Sequence, residues 1–440
     1  MALQLLAHAH VKTSNLPRSC RSRWKISPSC WLAIFLLASP FAAAQDATRL
    51  DADSLAQIDR RMREFVEQKE VSGVVTVVGT SRGISHLGAV GQRNLETQQS
   101  MQRDTVFRIA SMTKPITALG VMILAEQGRL AIDDPLEKYL PEFRGQQVVV
   151  SRQDGMTTLR KPSRAVTLRD LLRHTSGLPA SYPEGFGDAY RDRQHDLKES
   201  ALVMSQRPLE FEPGSKWAYC NTGIDLLGRV IEVCSGEKYE RFLDLHIFQP
   251  LGMRDTAVFP SQEQLRRAAQ VYEQKSGALV PVANPLIGDP TQARHSIPAG
   301  GLFSTGPDLA KFYQSMLLGG RVPGDETANG KETATQGMRI ARAETIAEMT
   351  KLQTGDLPCG FVEGMGFGLG FAHVKKPAGV TAMLSAGTFG HGGAFGTQGW
   401  IDPQQDLFVI LLIQRSNLPN ADASSLREVL QEIAVKAIRR

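Results

Sequence analysis

The 440-residue sequence predicts an α+β fold, an antiparallel sheet flanked by terminal helices with a mostly helical subdomain inserted between its two halves. Three observations predict it. Apolar residues recur at helical spacing near both ends of the chain, β-rich runs stand beside those segments, and the middle alternates helical patches with Pro- and Gly-rich loops.

In chain order, Leu55, Ile58, Met62, Phe65 and Val66 first mark one face of a helix. Val71 to Val78 then reads as a strand ending at Gly79, and Ser81-Arg82-Gly83 turns the chain into Ile84 to Val90, an antiparallel hairpin. From about 106 to 290, the patches Ile116 to Glu126, Leu168 to Arg173 and Ile224 to Val233 define the helical subdomain. Gly319 to Gly337 is polar, Gly-rich and without periodicity, as expected of a flexible surface insertion. Ala394 to Ile401 and Leu407 to Ile413 flank Asp402-Pro403-Gln404-Gln405-Asp406. The second run is apolar at every position, which requires a strand covered on both faces. A helix carrying Leu426, Val429, Leu430, Ile433 and Ala437 on one face closes the chain.

Composition narrows the function. With 42% hydrophobic and 22% charged residues the chain is an ordinary globular protein. Its net charge of +5 comes from Lys12, Arg18, Arg21, Arg23 and Lys25; without them 50 − 5 = 45 basic residues face 45 acidic ones. A nucleic-acid partner therefore has no electrostatic motive. Those five cations precede an apolar run, Trp31 to Ala38, and the small residues Ala42 and Ala44, which together read as a signal peptide over 1–44. The expectation is an exported protein, periplasmic or secreted, with its working domain at 45–440. The apolar run is too short to span a bilayer, so no membrane role beyond export is expected. Cys20 and Cys30 fall in the leader. Cys220, Cys234 and Cys359 lack metal-binding spacing and leave one disulfide open. His174, His246 and His295 show no metal spacing either; neither metal nor cofactor is expected, and His174 reads as structural, fixing the loop that contains Ser176.

Acyl transfer needs a nucleophile, a group to take its proton, and donors facing the developing oxyanion. Ser111-Met112-Thr113-Lys114 supplies the first two within one turn, since i, i+3 spacing puts the amine and the hydroxyl on one helix face. Two other S-x-x-K matches, Ser22 to Lys25 and Ser235 to Lys238, lack this setting. Only Ser111 follows a short β-like run and opens an apolar helix. The positive helix end favours a serine alkoxide and a neutral Lys114. Tyr219-Cys220-Asn221 is the only Y-x-N in the chain. Its phenol, beside a cationic lysine, is expected to titrate low and relay a proton, while Asn221 bonds Lys114 and the substrate carbonyl. The third element lines the other wall of the cleft. Lys275-Ser276-Gly277 matches K-[ST]-G but reads as a hairpin turn, whereas His391-Gly392-Gly393 leads into the strand predicted from Ala394. There Gly393 lets the substrate lie against the strand edge, and the N–H of Ala394 pairs with that of Ser111 as an oxyanion hole.

In order and spacing these three motifs resemble those of the class C β-lactamase and DD-peptidase superfamily. The likeness runs over the whole of 45–440, with support from Leu168 to Leu178, Phe211-Glu212-Pro213-Gly214, Pro250-Leu251-Gly252-Met253 and Gly300 to Thr305. The resemblance implies a β-lactamase/transpeptidase-like fold, an acyl-enzyme mechanism without metal, and a small ester, amide or peptide-like substrate. Two departures stand out. Cys220 replaces the usual serine of the Tyr motif, and the third motif lacks both the lysine and the hydroxyl that help hold a substrate carboxylate. The favoured expectation is thus an esterase or amidase. The alternatives are a β-lactamase or D-alanyl-D-alanine carboxypeptidase, and a penicillin-binding or peptidoglycan-sensing module that does not turn over.

Overall fold

The computed structural model describes residues 48–186, 194–283, 285–287, 290–324 and 337–439. The leader at 1–44 and most of the insertion expected at 319–337 lie outside them.

Helix α1 (Ala52–Glu67) begins where Asp51 caps it, accepting a bond from the Ser54 N–H at 2.8 Å. It buries Leu55, Ile58, Met62 and Phe65 and leaves Val66, the fifth residue the spacing singled out, partly buried against the same core. Strands β1 (Gly73–Thr80) and β2 (Gly83–Asn94) form the expected hairpin, and β3 (Gln99–Ser100) extends it. Helix α2 (Thr113–Glu126) is buried at every position from Thr113 to Leu124, as suits a helix that is apolar all round. It packs on α3 (Asn221–Ser235), which ends at Gly236 in the left-handed region, φ 76°. After α4 (Gly306–Leu317) come β4 (Met365–Phe367), β5 (Ala372–Val374), β6 (Phe389–Gly392), β7 (Gln398–Asp402), β8 (Leu407–Leu412) and helix α5 (Ser425–Lys436).

The eight strands make one antiparallel sheet in the order β4-β5-β6-β7-β8-β1-β2-β3, so the chain's two ends meet where β8 pairs with β1. The pleat divides the core. Phe408, Ile410 and Leu412 join Val75 and Val77 on the face covered by α4. Leu407, Val409 and Leu411 join Val74 and Val78 under α1 and α5. With both faces covered, β8 is apolar throughout, and each such side chain contributes roughly 1.5–3 kcal/mol on burial.

Two expectations need correction. The strand predicted from Ala394 starts only at Gln398. His391 and Gly392 belong to the preceding strand β6, and 393–397 turn the chain between them. Gly396 at φ 82° sits in that turn, a conformation that breaks an extended run its neighbours would otherwise continue. The middle of the chain is also less purely helical than expected, because Val148–Gln153 and Met156–Arg160 form an exposed hairpin.

Candidate active site

Ser111 lies in the 3-10 turn Ala110–Met112 that runs directly into α2. Ala110 holds φ 47°, a region that costs a non-glycine residue on the order of 1 kcal/mol, so strain sits one residue before the serine. Lys114 occupies the first turn of α2 and is fully buried. Its Nζ donates to Ser111 Oγ at 2.9 Å and to the Ala299 carbonyl at 2.6 Å. Burial pushes this amine down to about 7, against the opposing pull of Asp225.

Asp225, one turn into α3, is the residue sequence reasoning missed. Burial raises its carboxyl to about 7, while the Ala299 N–H at 2.9 Å and the charge of Lys114 pull it back. The Ala299 residue therefore links the pair, donating to Asp225 and accepting from Lys114. A carboxylate inside the apolar patch that begins at Ile224 was the available signal.

Tyr219 immediately precedes the helix cap of α3, and its phenol hydrogen-bonds the Ser111 side chain. The ring lies 4.7 Å from Lys114 Nζ and is crowded by His174 (4.6 Å between centroids), Phe361 (5.0 Å) and His391 (6.0 Å). The expectation of a low phenol is not met. Desolvation pushes it well above its ordinary value, and a lysine itself pushed toward neutrality offers little compensation. Cys220 sits where Ser is common because it caps α3, its Sγ accepting from the Gly223 N–H at 3.3 Å.

His174 is buried, and its Nδ1 accepts the Cys220 N–H at 3.2 Å. Its backbone carbonyl takes the Ala218 N–H at 2.9 Å. It thus pins the Tyr219 segment rather than the loop at Ser176. The Asn221 side chain makes no hydrogen bond to Lys114 among the described residues; Ser111 and Ala299 take that amine instead.

On the opposite wall, His391 ends up 3% exposed, donating from Nδ1 to the Gly392 carbonyl at 2.7 Å. Burial first, then the charge of Lys114, lowers it to about 3. Gly393 lies against the serine turn: a Cβ there would stand 2.5 Å from the Ile109 carbonyl and 2.2 Å from Thr397 Oγ1. Beyond it Ala394 is exposed, and among the described residues the backbone N–H groups of Ser111 and Ala394 have no protein acceptor. Lys275 lies in a hairpin with Ser276 and Gly277 both at positive φ, its side chain on Glu273. A cavity of about 480 Å³ near Leu136 and Val166 contains none of these residues.

A serine that shares its hydroxyl with a near-neutral amine and a phenol defines a serine hydrolase of the acyl-enzyme kind. The chain belongs to the Beta-lactamase family, which it matches over residues 58–433. Esterase EstB of Burkholderia gladioli is 31% identical over 405 residues, covering 84% of this chain and 94% of EstB. The D-alanyl-D-alanine-carboxypeptidase/endopeptidase AmpH of Escherichia coli K12 is 29% identical over 317 residues, covering 72% of this chain and 73% of AmpH. Among solved structures, EstCE1, described as a hydrolase with promiscuous acyltransferase activity, superposes with a TM-score of 0.69 at 24% identity. It covers 87% of this chain and 98% of its own, and shows the β-lactamase/transpeptidase-like fold.

Proposed function

We propose that the protein is an exported serine esterase or amidase acting on small esters or amides that lack a free carboxylate beside the scissile bond. The observation that carries the reading is the buried Lys114 amine, brought to about 7 and held 2.9 Å from Ser111 Oγ. At neutral pH much of it is free base. It takes the Ser111 proton as Oγ bonds to the substrate carbonyl carbon, and the oxyanion forms against the N–H groups of Ser111 and Ala394. Tyr219, protonated because its phenol is desolvated, gives its proton to the leaving group as the old bond breaks and regains one from Lys114, which holds the proton it took from Ser111. Water then attacks the acyl-enzyme with the proton traffic reversed. His391 and Gly393 shape the strand edge that receives the substrate, and Asn221 stands at the mouth of α3 to meet its carbonyl.

The EstB relative and the absence of any side chain at Gly392 support esters over β-lactams. A D-alanyl-D-alanine carboxypeptidase is the second reading, favoured by the AmpH relative. Parallel steady-state rates on a short-chain p-nitrophenyl ester, a peptide ending in D-alanyl-D-alanine and a chromogenic cephalosporin, with Ser111→Ala as blank, decide between them. Fast Ser111-dependent ester turnover with little D-alanine release or cephalosporin cleavage is expected; preferential D-alanine release or cephalosporin turnover overturns the esterase reading.

A further inference from the structure

A carboxylate as buried as Asp225, 2% exposed, ordinarily has a cation against it. Among the described residues none touches this one. Its Oδ1 accepts the Ala299 N–H at 2.9 Å and its Oδ2 the Tyr182 hydroxyl at 3.3 Å. The charge of Lys114 acts on it across Ala299, whose carbonyl takes the lysine Nζ at 2.6 Å.

The turn that carries Ala299 is built between α2 and α3. Thr117 on α2 donates to the Pro298 carbonyl at 2.7 Å. Gly228 on α3 leaves the space that the Pro298 ring fills, since a Cβ there would stand 2.1 Å from Pro298 Cγ. Asp225 adds the bond to Ala299 itself, and so sets where the Ala299 carbonyl lies. That carbonyl matters to catalysis. A neutral amine has two N–H groups and one lone pair; with one N–H committed to Ala299, the lone pair is free to face Ser111 Oγ at 2.9 Å.

The surroundings of the pair carry no other charge near neutral pH. Burial drives His174 and His391 below their ordinary range, and drives Tyr182, Tyr219, Tyr239 and Cys220 above theirs. When the serine proton moves from Oγ to Nζ, an ammonium forms on a fully buried side chain, and an uncompensated buried ammonium is costly.

We propose that Asp225 is a positioning residue: it holds Ala299 so that the Lys114 amine faces Ser111, and its carboxylate is the counter-charge to the ammonium that Lys114 becomes. Asp225 gives and takes no proton in the step. The proposal rests on the reading of Lys114 as the base and names what sets the pH range in which that base works.

The test is the pH dependence, from about pH 5 to 9, of kcat/KM for a short-chain p-nitrophenyl ester. It is followed at the isosbestic wavelength of the phenol on the whole enzyme and on Asp225→Asn, with Ser111→Ala as blank. Asn keeps an oxygen for the Ala299 N–H and removes the charge. Without that charge the lysine loses its proton more readily, so the midpoint is expected to fall by about 1–2 pH units, the usual effect of a nearby opposite charge. The plateau is expected to fall on the order of tenfold, because the amine is then a weaker base. Asp225→Ala, the second variant should Asn fold poorly, is expected to show the same shift and a deeper loss of rate, since it also releases Ala299. Melting temperatures confirm that each variant is folded. An unchanged or raised midpoint in the folded variants, even with a lower rate, would mean that Asp225 serves packing alone and overturns the proposal while leaving Lys114 as the base. A wild-type profile flat across the range overturns the reading of Lys114 and the proposal with it.

Discussion

Replacing Lys114 with methionine should raise stability at neutral pH while abolishing activity, and the pH dependence of that gain is calculable. The amine titrates at about 7 in the fold against an ordinary 10.5. Because the folded value is depressed, the unfolded chain binds more protons between those two pH values, and wild-type stability from this group rises with pH across that window. At about 1.36 kcal/mol per pH unit, burying the amine costs roughly 4 kcal/mol at pH 7 and about 1 kcal/mol at pH 10. Methionine removes that cost with little change of volume but leaves the Ala299 carbonyl and Ser111 short of a donor, about 1–3 kcal/mol in all. The variant should thus be more stable than wild type by about 2 kcal/mol at pH 7 and no more stable at pH 10. Loss of the lysine also lets Asp225 keep its proton to higher pH, which moves the balance the same way. Urea unfolding of both proteins at the two pH values reads the difference directly. A stability difference that does not change with pH would mean that Lys114 keeps its proton in the fold, and the free-base argument would fall.

The same titration predicts that kcat/KM for an uncharged ester rises with pH through a midpoint near 7; a rate flat from pH 5 to 9 would exclude Lys114 as the base. Tyr219→Phe should lower kcat by ~10²–10⁴ with an unaltered melting temperature, and an unchanged rate would remove the phenol from the mechanism. Gly393→Ala forces a Cβ to within 2.5 Å of the Ile109 carbonyl, so it should displace the Ser111 turn and cost both stability and activity. Circular dichroism melting and ester assays check it, and a variant with wild-type rate would show that Gly393 is not needed there.

Much of the architecture was legible because periodicity reports burial. The α1 and α5 stripes and the unbroken apolar run of β8 follow from which faces the sheet covers, and the structure returns them within a few residues. The turn at 393–397 was not legible. Ala394, Phe395 and Thr397 are acceptable strand residues, and only tertiary packing of Gly393 against Ile109 and Gly396 at φ 82° break the run. At the site, Ser111, Lys114 and Tyr219 come together where spacing and order suggested. Asp225 escaped notice, its one mark in the sequence being a carboxylate inside the apolar patch that begins at Ile224. Asp225 matters through its burial opposite Lys114, which only the packing of α3 on α2 brings about. The phenol of Tyr219 was misjudged for a related reason: sequence shows the cation nearby but not the aromatic rings that strip its water.

The most direct test of the whole account is to trap the acyl-enzyme. The protein is incubated with an activated acyl donor, quenched in acid, digested and mapped by mass spectrometry. The account predicts one added acyl group on the peptide containing Ser111 and none on the Ser111→Ala protein. Acylation at another residue, or labelling that persists in Ser111→Ala, would contradict it.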